Sequence, residues 1–136
     1  EDLWFHLNLI FELNGVYLFL YRYLADLTSR VPDLERAMRG LLKSEHKAAW
    51  NSLSGLEQAG VMQIDSRPKQ LLADSILLSL TYWIPFAELT DPDALDNSQA
   101  QVTAIARVLL MVAPWLHQPQ QDQFRDLALA YLTHKT

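Results

Sequence analysis

The chain has 136 residues, half of them apolar and 20% charged, with a formal net charge of −5 and no cysteine. One domain of that length can bury roughly two-thirds of its unfolded surface. The acidic balance and the lack of any Lys/Arg run argue against a phosphate-backbone interface on these residues, and the lack of cysteine excludes disulfides and thiolate metal sites.

Apolar side chains recur at spacings of three and four, with no useful period-two alternation, so the expected fold is all-α, a bundle of about six helices. The first predicted helix, Asp2 to Asn14, is apolar on most sides and breaks at Asn14-Gly15. A second runs from Val16 to Ser29. Pro32 suits the first turn of a third helix, with Asp33 and Glu35 against its positive end, although Val31 is a poor cap. This longest helix carries Leu34, Met38, Leu41, Leu42, Ala49, Leu53 and Leu56 on one stripe and should stop at Gly60.

Ser66 is the expected cap of the fourth helix, with Pro68 in its first turn and a kink expected at Pro85, whose ring clashes with the Thr81 carbonyl. Thr90 to Asn97 reads as a loop. Ser98 and Gln101 have capping-box spacing for a fifth helix, with Val102, Ile105, Ala106, Leu109, Val112, Ala113 and Leu116 as its stripe. A last helix follows Pro119, with Phe124, Leu127, Ala128, Tyr131 and Leu132 facing one way as a lid.

Two helices carry more apolar surface than one neighbour covers. The fifth has a second stripe, Ala104, Val108, Met111 and Trp115. The fourth has Leu72, Ile76, Leu80, Trp83 and Ala87 on one side and Leu71, Ser75, Leu78, Ser79, Tyr82 and Phe86 on another. A two-fold pairing would bury the excess, so a homodimer is expected, with Leu72, Ile76, Leu80, Trp83, Ala104, Val108, Met111 and Trp115 at the interface.

A small-molecule pocket needs apolar walls with a few orienting polar groups. Asn8 and Glu12, one turn apart beside Phe11, are candidates, as are Ser75, Ser79 and Tyr82 on one face of the fourth helix, and His46 with Trp50 on the third. The competing reading gives each the ordinary role of a core or solvated side chain, hydrogen-bonded to a neighbour.

His6, His46, His117 and His134 lack the spacing for a shared metal. With no phosphate-cradling Gly-rich loop, no nucleophile elbow and no thiol, neither an enzyme nor a cofactor is expected. The uncharged run Ser75 to Ala87 is shorter than the roughly 20 residues of a membrane span, and Asn8, Glu12, Asn14, Gly15 and Arg22 interrupt Leu3 to Leu24, so no membrane partner is expected. The cysteine-free composition suits a reducing cytoplasm. The chain opens on Glu1 inside a helical pattern and is read as a piece of a longer protein.

Three features carry a family resemblance: Asp2-Leu3-Trp4-Phe5 opening a helix, the aromatic run Tyr17-Leu18-Phe19-Leu20-Tyr21-Arg22, and Pro32 starting a long helix. Asp2 to Leu42 resembles the start of the C-terminal domain in one branch of TetR-type repressors. Leu56 to Val61, Leu80 to Phe86, Ala113 to Leu116 and Phe124 to Leu132 resemble later parts of that domain more loosely. The resemblance implies that residues 1–136 form a ligand-binding and dimerisation domain. It implies a dimer built mainly by the fourth and fifth helices, and a pocket walled by the first, third and fourth. It also implies an apolar effector that relieves DNA binding by a helix-turn-helix head absent from these residues. The alternative is a helical interaction module with no small-molecule ligand.

Overall fold

The computed structural model describes Asp26, residues 29–90 and residues 99–133. Proline at the first helical position starts α1, Pro32–Gln58, where it gives up only an N–H that would have had no helical partner. Val31 makes no side-chain cap, and the first turn is held instead by the Glu35 N–H donating to the Val31 carbonyl at 3.1 Å. Arg36 pairs with Asp33 and Arg39 with Glu35, both at 2.7 Å on the solvent side. Exposed pairs of this kind contribute only tenths of a kcal/mol.

The end of α1 falls where glycine was expected to end it. Gly60 adopts φ 76°, its N–H donates to the Glu57 carbonyl at 3.0 Å, and the Val61 N–H reaches back to Leu56 at 3.1 Å. These two bonds form a Schellman motif, and both Val61 and Leu56 pack against the core.

α2, Ser66–Thr90, includes Ser66 as its first residue, so the cap falls on Asp65, one residue before the expected Ser66, and the Lys69 N–H donates to the Asp65 carbonyl at 2.9 Å. It runs on for five residues beyond Pro85. α3, Gln99–Val112, is followed by a 3₁₀ turn at Ala113–Trp115, and α4 is Gln120–Thr133. The fifth predicted helix was expected to continue to Leu116. It stops earlier because Pro114 cannot donate to Leu110 and the chain is then drawn to the connector after α1. The His117 N–H donates to the Val61 carbonyl at 2.8 Å, and Leu116 forms an isolated antiparallel bridge with Met62.

Among the described residues there is therefore an all-helical fold of four α-helices and no strand. The first two predicted helices and the Ser98 cap lie outside the described residues, apart from Asp26, Ser29 and Arg30, which are helical. α1 packs on α2, α2 on α3 and α3 on α4. Leu53 of α1, Ile76, Leu80 and Ile84 of α2, and Val108, Leu109 and Val112 of α3 are wholly buried, and Ala128 of α4 closes on them. Burial of each large aliphatic side chain contributes about 1.5–3 kcal/mol.

This packing corrects the expected partner-facing residues. Leu72, Ile76, Leu80, Trp83, Ala104 and Val108 are buried within the single chain, so they cannot form its outer face; Met111 is half-buried and Trp115 exposed. α3 is enclosed on both of its stripes because it lies between α2 and α4. The uncovered apolar row is the other stripe of α2, where Leu71, Leu78, Tyr82 and Phe86 stand exposed. On α4 the expected inward Leu127 is also exposed.

Candidate functional site

Two arrangements of side chains stand out, one at the α1–α2 contact and one where α2, α3 and α4 meet. At the first, Lys69 is only 8% exposed. An ammonium taken from water needs compensating partners, and three groups supply them. Nζ lies 2.6 Å from Glu57 Oε1, 2.6 Å from Ser54 Oγ and 4.1 Å from the centre of the Trp50 ring. The face of Trp50 is thus occupied by a cation from the next helix.

His46, one turn before Trp50, is half-buried, with Nε2 2.9 Å from Asp74 Oδ1 on α2. The ring nitrogen lacks hydrogen-bond alignment with that oxygen, so the contact is one of proximity, attractive when the imidazole is charged. Beside it, burial raises the Glu45 carboxyl above its ordinary range. His46 and Trp50 are therefore brought together along α1, facing Asp74 and Lys69 respectively.

The second arrangement is a groove of about 310 Å³ lined by Leu78, Ser79, Tyr82, Trp83 and Phe86 of α2 and Arg107 of α3. Ser79 and Tyr82 both line it. Ser75 does not join them; it is exposed and donates to the Leu71 carbonyl at 2.8 Å. Arg107 lies 5.3 Å from the centre of the Phe86 ring. It also lines a second groove of about 370 Å³, with Thr103, Ala106, Leu110 and Met111 of α3 and Leu132 of α4. A readable signal for Arg107 was present: it is the lone charged residue between Gln99 and Val112.

Trp115 lines a separate, more polar recess of about 350 Å³ with Gln63, Asp65 and His117. Asn8, Phe11 and Glu12 lie outside the described residues. Among the described residues no group of three His, Asp or Glu side chains could hold a metal ion, and no helix is long and apolar enough to cross a membrane. The two grooves offer apolar walls and one guanidinium.

A family model described as TetR, bacterial transcriptional repressor, matches residues 1–124, nearly the whole chain. The chain belongs to the TetR family. The described helices of this TetR-family domain are similar to a crystal structure of a TetR-family transcriptional regulator from Marinobacter aquaeolei VT8, with a TM-score of 0.83 and 22% sequence identity. That likeness shows the fold. The match covers 96% of the present chain and 62% of the other, so the TetR-family domain spans less than two thirds of the regulator it resembles. No curated protein matches the chain.

Proposed function

We propose that residues 1–136 are the effector-sensing and homodimerisation domain of a TetR-type transcriptional regulator. DNA would be held by a helix-turn-helix head outside these residues, since an acidic domain of net charge −5 suits a regulatory role better than a phosphate contact. A small apolar effector would favour a conformation whose paired heads no longer match their two half-sites, and repression would be relieved.

The observation that carries this reading is the apolar row left uncovered on α2. Leu71 is 65% exposed, Leu89 is 88% exposed, and Leu78, Tyr82 and Phe86 lie between them. A contiguous apolar face of this kind marks an interface more often than open surface. Positions 71, 75, 78, 82, 85 and 89 follow the alternating four-and-three spacing of a helix seam, with Ser75 as its polar step and Pro85 among them. A second copy presenting the same row would satisfy two-fold symmetry.

Effector binding is supported by the apolar grooves around Arg107 and by family membership. Asn8, Phe11, Glu12, His46, Trp50 and Ser79 remain the proposed contacts, Tyr82 belongs with the α2 row, and Met111 with Trp115 are the proposed interface residues on the C-terminal side. Sedimentation equilibrium at tens of micromolar tests the pairing: a dimer is expected for the native chain and a monomer for Leu78→Glu, and a monomeric native chain overturns it. A thermal-shift screen with apolar metabolites tests sensing, since ligand at 100 times its dissociation constant adds about 2.7 kcal/mol of stability. Silence across a broad screen would favour a ligand-free interaction module.

A further inference from the structure

Among the described residues Lys69 is the one charged side chain that the fold encloses, at 8% exposed. What it enters is composed like a binding site. Trp50, Ser54 and Glu57 stand four and then three residues apart, which puts an aromatic ring, a hydroxyl and a carboxylate on one face of α1. An ammonium is recognised by those three groups: a π-face for its charge, an acceptor for one N–H and a counter-ion for another. The Lys69 ammonium arrives from α2 and meets them all, with the ring centre at 4.1 Å and each of the two oxygens at 2.6 Å. A buried ion pair seldom stabilises a fold more than apolar side chains of the same volume would. Stability alone therefore does not account for a lysine at this position.

We infer that Trp50, Ser54 and Glu57 form an ammonium-binding site that the chain fills with its own Lys69, and that Lys69 thereby sets effector specificity at Trp50 against cations. With Lys69 in place the cation-attracting face of the ring is covered and the Glu57 charge is compensated. A cation approaching the opposite face of the ring would meet like charge across it. An uncharged apolar molecule meets neither obstacle. The specificity rests on the proposed effector contact at Trp50, whereas the filled site does not depend on that reading.

Emptying the site tests it. Lys69→Ala removes three carbons and the ammonium, the atoms of n-propylammonium, and n-propanol is nearly the same shape without the charge. In thermal unfolding at matched ionic strength, n-propylammonium should raise the melting temperature of Lys69→Ala saturably. It should bind at least about tenfold more tightly than n-propanol, the range expected for a charge-assisted contact. The native chain should show no saturable rise with either. Trp50→Leu and Glu57→Gln, each added to Lys69→Ala, should weaken the preference for the amine. If Lys69→Ala does not fold alone, recovery of helix content by circular dichroism as n-propylammonium is added reads the same binding. Equal affinity for amine and alcohol, no response or recovery with the amine, or a preference that survives both added substitutions overturns the site. Choline binding to the native chain that Trp50→Leu abolishes overturns the exclusion of cations. Neither result touches effector sensing itself, which the wider metabolite screen decides.

Discussion

At the level of single residues, the informative groups are those whose polarity disagrees with their surroundings. Thr81 is buried with its hydroxyl unpartnered, and Pro85 four residues later denies its carbonyl the usual helical donor. A buried hydroxyl without a partner costs free energy that an isosteric methyl does not. Thr81→Val is expected to raise stability by about 1 kcal/mol, read as a higher urea midpoint with an unchanged slope. Glu45 makes the opposite kind of statement. Its carboxyl is raised above the ordinary range by desolvation, so the folded state holds the proton more tightly than the unfolded chain. Stability linked to this group is present at pH values below the ordinary carboxylate range and is lost as pH rises through the raised value. Glu45→Gln removes the loss, so the variant should gain thermal stability over the native protein between pH 4 and pH 7, with little difference at the acid end. An unchanged gap across that interval would contradict the assignment. In the sequence Thr81 stands out only through its carbonyl beside Pro85 and Glu45 not at all, because desolvation depends on which neighbouring helix covers a side chain.

Helix ends were legible where local chemistry alone decides them. Gly60 ends α1 because the Schellman geometry demands a positive φ, and a Cβ there meets no atom but does meet the backbone cost of about 1–2 kcal/mol. Gly40 and Gly55 sit inside α1 with open space around an added Cβ, so no tertiary contact requires them. Gly60→Ala should therefore lower the unfolding free energy by about 1–2 kcal/mol, while Gly40→Ala and Gly55→Ala should each raise it by about 0.5–1 kcal/mol. Chemical denaturation of the three variants reads all of this directly. Prolines were less legible, and the reason is tertiary. Pro85 and Pro114 remove the same donor, yet α2 passes through the first and α3 ends just before the second. After Pro114 the backbone finds new partners in the connector, through His117 to Val61 and the Met62–Leu116 bridge. After Pro85 the helix resumes as far as Thr90, whose hydroxyl donates to the Phe86 carbonyl at 2.8 Å. Periodicity and proline position do not contain that distinction.

For the whole molecule, periodicity revealed that α2 has two apolar stripes but not which of them the fold would hide. Both are rich in large side chains, and the choice depends on where α1 and α3 lie rather than on the stripe itself. Lone polar signals were similarly ambiguous: Ser79 and Tyr82 reached a groove, while Ser75, one turn earlier on the same face, turned its hydroxyl to its own helix. The adjacent pair Leu71 and Leu72 separates interior from interface most sharply, since the first is 65% exposed and the second 7%. Leu72→Ala leaves a cavity in the core and should cost about 2–5 kcal/mol. Leu71→Ala removes little packing from the single chain, so its effect should appear mainly in association. A dimer melts at a temperature that rises with protein concentration, because pairing stabilises the folded state by mass action. Leu72→Ala is therefore expected to lower the melting temperature at every concentration and keep that slope, whereas Leu71→Ala should flatten the slope and leave the dilute value nearly unchanged. The reverse pattern would mean that the α2 row is covered from within its own chain, and the twin would have to be sought on another face.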